Sequence, residues 1–307
     1  MNINKYLFGM VLLFLVVSFP GCINNNEPQE GLQQGKLRVI ASFYPMYDFA
    51  RNVGGERIEV TSLIPVGVEP HEYEPTTSDI LALNGAQVLI LNGVIEDSWA
   101  PKLVASLDNK QLAVIDTSKG IPLVASMDAD MPGNDPHLWL DPALAGKQVA
   151  AIRDAFIQAD PAGKEYYESN AAAYIQKLEV LDAQFRALMP ACKKKDILIT
   201  HATLAYFCKE YGCTQVPIEG VNAEGEPTPA VVAAIIDQAK AENITVVFTE
   251  RLYNPKVAQS IADEIHGVVA VFNTVHGMTA EEEQRGENYL SLMQENVRTI
   301  NKSLDCN

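Results

Sequence analysis

From residue 37 onward, short apolar runs rich in β-branched residues alternate with stretches of helical periodicity. Runs at 37–42, 58–64, 88–91 and 112–115 occupy the first half, and runs at 197–200, 215–218, 245–249 and 268–272 the second. Between them, 47–53, 101–107, 230–241 and 256–265 carry apolar residues at helical spacing. Strands alternating with helices predict parallel sheets with helices on both faces. The nearly unbroken apolar character of 88–91 and 245–248 fits strands buried on both sides.

One periodic segment is longer. Tyr167, Ala171, Tyr174, Leu178, Leu181, Phe185 and Leu188 recur at alternating steps of four and three, which draws a single apolar stripe along a helix over 164–189. Pro161 precedes it and Pro190 closes it. At the α-helical rise it measures about 39 Å, enough to form a stiff spine between two halves. The expected organisation is an N-terminal α/β lobe at 37–163, a linking helix at 164–190 and a C-terminal α/β lobe at 191–307.

The N-terminus has a different character. Lys5 precedes an apolar run from Leu7 to Phe19, too short to span a bilayer comfortably and of the right size for a secretory signal. The run ends at Gly21-Cys22, a lipoprotein-like cleavage site, so 1–21 is expected to be removed, Cys22 to carry lipid and 22–36 to be a tether. Export allows Cys192, Cys208, Cys213 and Cys306 to form disulfides, and the sequence leaves all three pairings open. With 23 Lys+Arg against 39 Asp+Glu the net charge is −16, which argues against nucleic acid as a partner and suits cations.

Ligands of open parallel sheets bind beyond the carboxyl ends of the strands. Three of the five histidines fall there: His71 after the run at 58–64, His137 just before a helix that Asp141 is placed to open, and His201 at the end of the run at 197–200. They lie 66 and 64 residues apart, so any shared site is assembled by the fold. Three neutral imidazoles suit Zn²⁺. Walker, nucleophile-elbow and H-E-x-x-H motifs are absent, and no catalytic residue or catalytic cofactor is expected.

These loops also carry a resemblance. Segments 41–46 (ASFYPM), 69–75 (EPHEYEP), 137–142 (HLWLDP), 201–207 (HATLAYF), 224–229 (EGEPTP) and 246–250 (VVFTE) resemble, in order and spacing, the metal-binding receptor lipoproteins of zinc and manganese ABC transporters. The resemblance implies one metal ion in a cleft between two lobes, bound by His71, His137 and His201. It implies a monomer anchored on the outer face of the cell membrane that delivers the ion to a permease and its ATPase. The family's fourth ligand is an Asp after the last strand, and here the segment reads Asn273-Thr274-Val275-His276. An Asp would neutralise half of a dication's charge, whereas Asn offers only a carbonyl oxygen. Asn273, His276 and water are therefore candidates for the fourth position, with Glu250 and Asp141 as carboxylates behind the ligands. Zinc is the first expectation and manganese the next, because nitrogen ligands disfavour Mn²⁺. The loop with Glu224 and Glu226 is expected to contact the permease. A secreted three-histidine zinc enzyme and a metal-stabilised adhesin are the competing readings.

Overall fold

The computed structural model describes residues 35–93, 99–126, 133–221 and 227–306. The expected signal, the expected tether up to residue 34 with Cys22, and the 222–226 part of the Glu224/Glu226 loop lie outside the described residues. From Lys36 onward the chain packs as one compact unit.

Two four-stranded sheets form the frame. The first contains β1 (Leu37–Ala41), β2 (Ile58–Ser62), β3 (Val88–Leu91) and β4 (Ala113–Asp116) in the order β2-β1-β3-β4. The second repeats this order as β6-β5-β7-β8, with β5 (Asp196–His201), β6 (Thr214–Glu219), β7 (Val246–Thr249) and β8 (Val268–Val271). Every pairing is parallel. The expected α/β architecture is present, and β3 and β7 are buried along their whole length. In each sheet the chain moves first to one side of the opening strand and then to the other, creating a crevice at the carboxyl ends of β1/β3 and of β5/β7.

Helices α1 (Tyr44–Gly54), α2 (Thr77–Gly85), α3 (Ala100–Ser106) and α4 (Pro142–Ala159) accompany the first sheet. The second carries α6 (Ala205–Tyr211), α7 (Pro229–Ala241), α8 (Lys256–Glu264), α9 (Ala280–Gln284) and α10 (Tyr289–Ser303). Between the sets runs α5 (Lys164–Ala191). Its buried stripe is the predicted one except at the end, where Met189 replaces Leu188 as the buried residue. Pro190 sits inside the last turn, which ends one residue later.

The stripe joins the two sets. Tyr167, Tyr174 and Phe185 belong to one apolar core that also takes in Phe49 of α1, Phe207 of α6 and Tyr289 of α10. The Phe185 ring meets Phe207 edge-on at 5.0 Å and Tyr211 at 5.3 Å. Tyr174 donates a hydrogen bond to Asp48 of α1 at 2.7 Å, so the core's polar tips are satisfied across helices. Arg57 and Tyr167 both donate to Asp160, fixing the entry to the spine.

The cysteines pair as Cys192–Cys306 and Cys208–Cys213. The first ties the end of α5 to the segment after α10, and the second staples the end of α6 to the start of β6.

Two outcomes follow from this packing. Phe185→Ala removes a fully buried ring and should lower unfolding free energy by about 3–5 kcal/mol, read by urea denaturation. The Cys192–Cys306 bond closes a separation of 114 residues and Cys208–Cys213 one of 5. Chain entropy values them at about 5 and about 2 kcal/mol, so the Cys192→Ser/Cys306→Ser variant should melt well below the Cys208→Ser/Cys213→Ser variant.

Candidate metal centre

Four loops beyond strand ends bring four histidines together. After β2, Pro70–Glu72 forms a short helical turn that carries His71. A Thr76–Asp79 capping box at the start of α2 fixes the far side of that loop. In the loop after β4, the Pro136 carbonyl accepts at 2.9 Å from Asn92, which follows β3 and is itself held by Gln148, and this sets the backbone beside His137. His201 is the last residue of β5. His276 follows β8 on the turn that begins at Asn273.

The ligand atoms of these four residues lie within 4.8 Å of one another. Their ring centroids are 5.0–6.0 Å apart in all six pairs. His137, His201 and His276 are buried, and His71 is half-buried. Nε2 of His137 and Nε2 of His201 stand 3.4 Å apart. With Zn–N bonds near 2.05 Å, the edge of a tetrahedron is about 3.4 Å, so one edge already has the length a bound zinc requires. The buried Nε2 of His276 has no hydrogen-bond partner among the described residues, as expected of a nitrogen reserved for a cation.

What lies behind the rings fixes their tautomers. Nδ1 of His137 is 2.9 Å from Asp135 Oδ1, and Nδ1 of His201 is 2.6 Å from Glu250 Oε1. A carboxylate can only accept here, so each ring carries a proton on Nδ1, which leaves Nε2 as the atom turned toward a metal. Thr274 donates its hydroxyl to Glu250 Oε2 at 2.9 Å and accepts from His276 Nδ1 at 2.9 Å, giving the third ring the same tautomer. Thr200 adds a hydrogen bond to Glu250 at 2.6 Å. Trp139 packs edge-on against His137 at 5.3 Å and His276 at 5.0 Å, and its indole N–H donates to the Thr274 carbonyl at 2.8 Å.

Burial, reinforced by neighbouring imidazoles, pushes the pKa of His71 and of His276 well below the usual histidine value. Burial also lowers His137, against the pull of Asp135. For His201, burial is outweighed by the charge and hydrogen bond of Glu250, so its pKa is raised. Burial would raise Glu250, but His201 and the hydrogen bonds from His201, Thr200 and Thr274 hold it below the ordinary carboxylate range.

The two candidates for the fourth place have different positions. His276 joins the cluster, whereas Asn273 turns away from it. The Asn273 amide donates to Glu282 at 3.0 Å, its carbonyl accepts from the Val275 N–H at 2.9 Å, and its backbone pairs with Asn296 on α10. These bonds brace the turn, in which Val275 holds a left-handed φ of 55°. Asp141 is not behind His137: its carboxylate caps α4 by accepting from Ala143 and Leu144 N–H, and Asp135 stands at the imidazole instead. Sequence reasoning passed over Asp135, whose only signal was its position two residues before His137.

Fold and site together are those of a two-sheet metal receptor. The chain belongs to the family described as zinc-uptake complex component A, periplasmic, whose profile matches residues 39–303. It is 34% identical over 310 residues to the high-affinity zinc uptake system protein ZnuA of Bacillus subtilis, covering 97% of each chain. It is 31% identical to the zinc-binding lipoprotein AdcA of Streptococcus pneumoniae, covering 99% of this chain and 61% of that longer one. The Zn(II)-bound ZnuA-like domain of AdcA superposes with a TM-score of 0.78 at 33% identity, over 88% of this chain and all of that one. The laminin-binding protein Lmb of Streptococcus agalactiae, described as having adhesin and metal-transporting activity, superposes at 0.79 with 27% identity, over 88% of this chain and 99% of its own.

Asn273→Asp tests the bracing role. It would place a second carboxylate against buried Glu282, so we expect a lower melting temperature and weaker metal binding. If the new carboxylate acted as a ligand instead, binding would tighten in the same titration.

Proposed function

We propose that this protein is an extracytoplasmic receptor that captures one Zn²⁺ through His71, His137, His201 and His276 and delivers it to an ABC permease. The observation that carries this reading is the convergence of four imidazoles from four strand ends, two from each sheet. Family membership supports it, and so do the zinc-binding names of the relatives. Lipid on Cys22 and a tether over 22–36 would hold the receptor at the outer face of the membrane as a monomer. The lobes at 37–163 and 191–307 would separate slightly about the 164–190 helix to release the ion.

Ligand chemistry favours zinc over manganese, since an all-nitrogen set ranks Mn²⁺ lowest among the first-row dications. It also weighs against a hydrolytic enzyme. Catalytic zinc keeps a fourth position for water, and the buried Nε2 of His276 in the cluster, without a hydrogen-bond partner among the described residues, supports a fourth protein ligand there instead. We therefore read the site as a carrier site without catalysis.

Metal analysis and calorimetric titration of the soluble mature form should give one zinc per chain. His137→Ala and His201→Ala should each weaken binding at least 100-fold, with Mn²⁺ displaced by equimolar Zn²⁺. Two ions, or none, would overturn the reading. At free zinc 1,000-fold above Kd, binding adds about 4 kcal/mol of stability, so chelation should lower the melting temperature by several degrees.

A further inference from the structure

Four neutral imidazoles place the full +2 charge of a zinc ion in a site from which water is largely excluded. Something in the protein has to balance it. Behind the ligands stand two carboxylates that are themselves buried: Asp135 against His137, with both side chains 0–1% exposed, and Glu250 against His201, with both at 0%. Glu250 also serves a second ring, because Oε1 accepts from His201 while Oε2 accepts from the Thr274 hydroxyl that receives the His276 proton. A third carboxylate, Glu69 on the loop before His71, has both oxygens buried and bears on His201 through space.

We propose that Asp135 and Glu250 are the charge-determining residues of the receptor: they neutralise a divalent cargo without touching it, and they, not the ligand set, select two positive charges over one. Four imidazoles alone would accept a monovalent soft cation such as Ag⁺ as a neutral-ligand complex. Each buried negative charge held against a ligand ring attracts a dication twice as strongly as a monocation at the same place. The one-bond relay through Thr274 spreads Glu250 over two ligands, so this residue carries the larger share. The proposal rests on the four-imidazole reading of the site.

Coulomb energy scales with the product of the charges, so losing one carboxylate costs a dication twice what it costs a monocation on a logarithmic scale. Glu250→Gln and Asp135→Asn keep the shape and an acceptor for Nδ1–H while removing the charge. Removing a group that supports a metal ligand typically weakens binding about 10–100-fold, and we expect that loss for Zn²⁺ in each variant. For Ag⁺ we expect the square root of that factor, about 3–10-fold. Both affinities are measured by competition on the full chain with Cys22 alkylated, the other cysteines being paired.

Equal factors for Zn²⁺ and Ag⁺ would mean that the carboxylates only hold the rings in place, and would overturn the proposal. So would no change for either metal. If either variant folds poorly, the other gives the same ratio independently. A parent chain that fails to take one zinc, or His276→Ala binding as tightly as the parent, would instead sink the ligand assignment itself.

Discussion

Two imidazole nitrogens, Nε2 of His137 and Nε2 of His201, face each other across 3.4 Å at a centre from which water is largely excluded. Such an arrangement persists only if the surrounding structure holds both rings from behind. The rest of this molecule can be read as the means of doing so. Asp135, Glu250 and Thr274 lock the Nδ1 side of three rings. Asn92, Gln148 and the capped start of α4 hold the loop of His137, and Asn273, Asn296 and Glu282 hold the turn of His276. These braces are hydrogen bonds made by buried polar groups, so the positions of the rings at the centre are set by rigid scaffold.

The topology explains why so few residues suffice. Repeating the strand order in both sheets places two crevices at the carboxyl ends of parallel strands. His201 and Glu250 close β5 and β7, the two strands that flank the crevice of the second sheet, so a ligand and its carboxylate are fixed by adjacent strands. The apolar stripe of α5 ties both sets of helices into one core, and Trp139 and Tyr289 extend that core beneath the histidines.

Much of this was legible in the chain itself. All eight strands coincide with apolar β-branched runs to within a residue or two, and the α5 stripe was visible as alternating steps of four and three, because a covered strand reads as a short apolar run and a helix buried along one stripe as a period near 3.6. His71, His137 and His201 were legible as strand-end residues. The roles of His276 and Asn273 were not separable, since which of two side chains three residues apart turns inward depends on the positive φ of Val275 and on Asn296, far away on α10. Asp135 was hidden for a related reason. A carboxylate two residues before a histidine reaches its Nδ1 only when the backbone between them bends, and Pro136 with the Asn92 hydrogen bond produces that bend here. Disulfide partners were equally beyond reach, because pairing follows spatial neighbours that only the folded second sheet defines.

One of those bonds has a consequence for how the molecule withstands damage. Cys192 and Cys306 enclose the whole second sheet and α6–α10 in a covalent ring. A protease that cuts any surface loop inside that ring leaves both fragments attached, with the histidine and carboxylate pair of β5 and β7 still on one molecule. A chain clipped once inside that ring thus keeps all four histidines on a single covalent molecule.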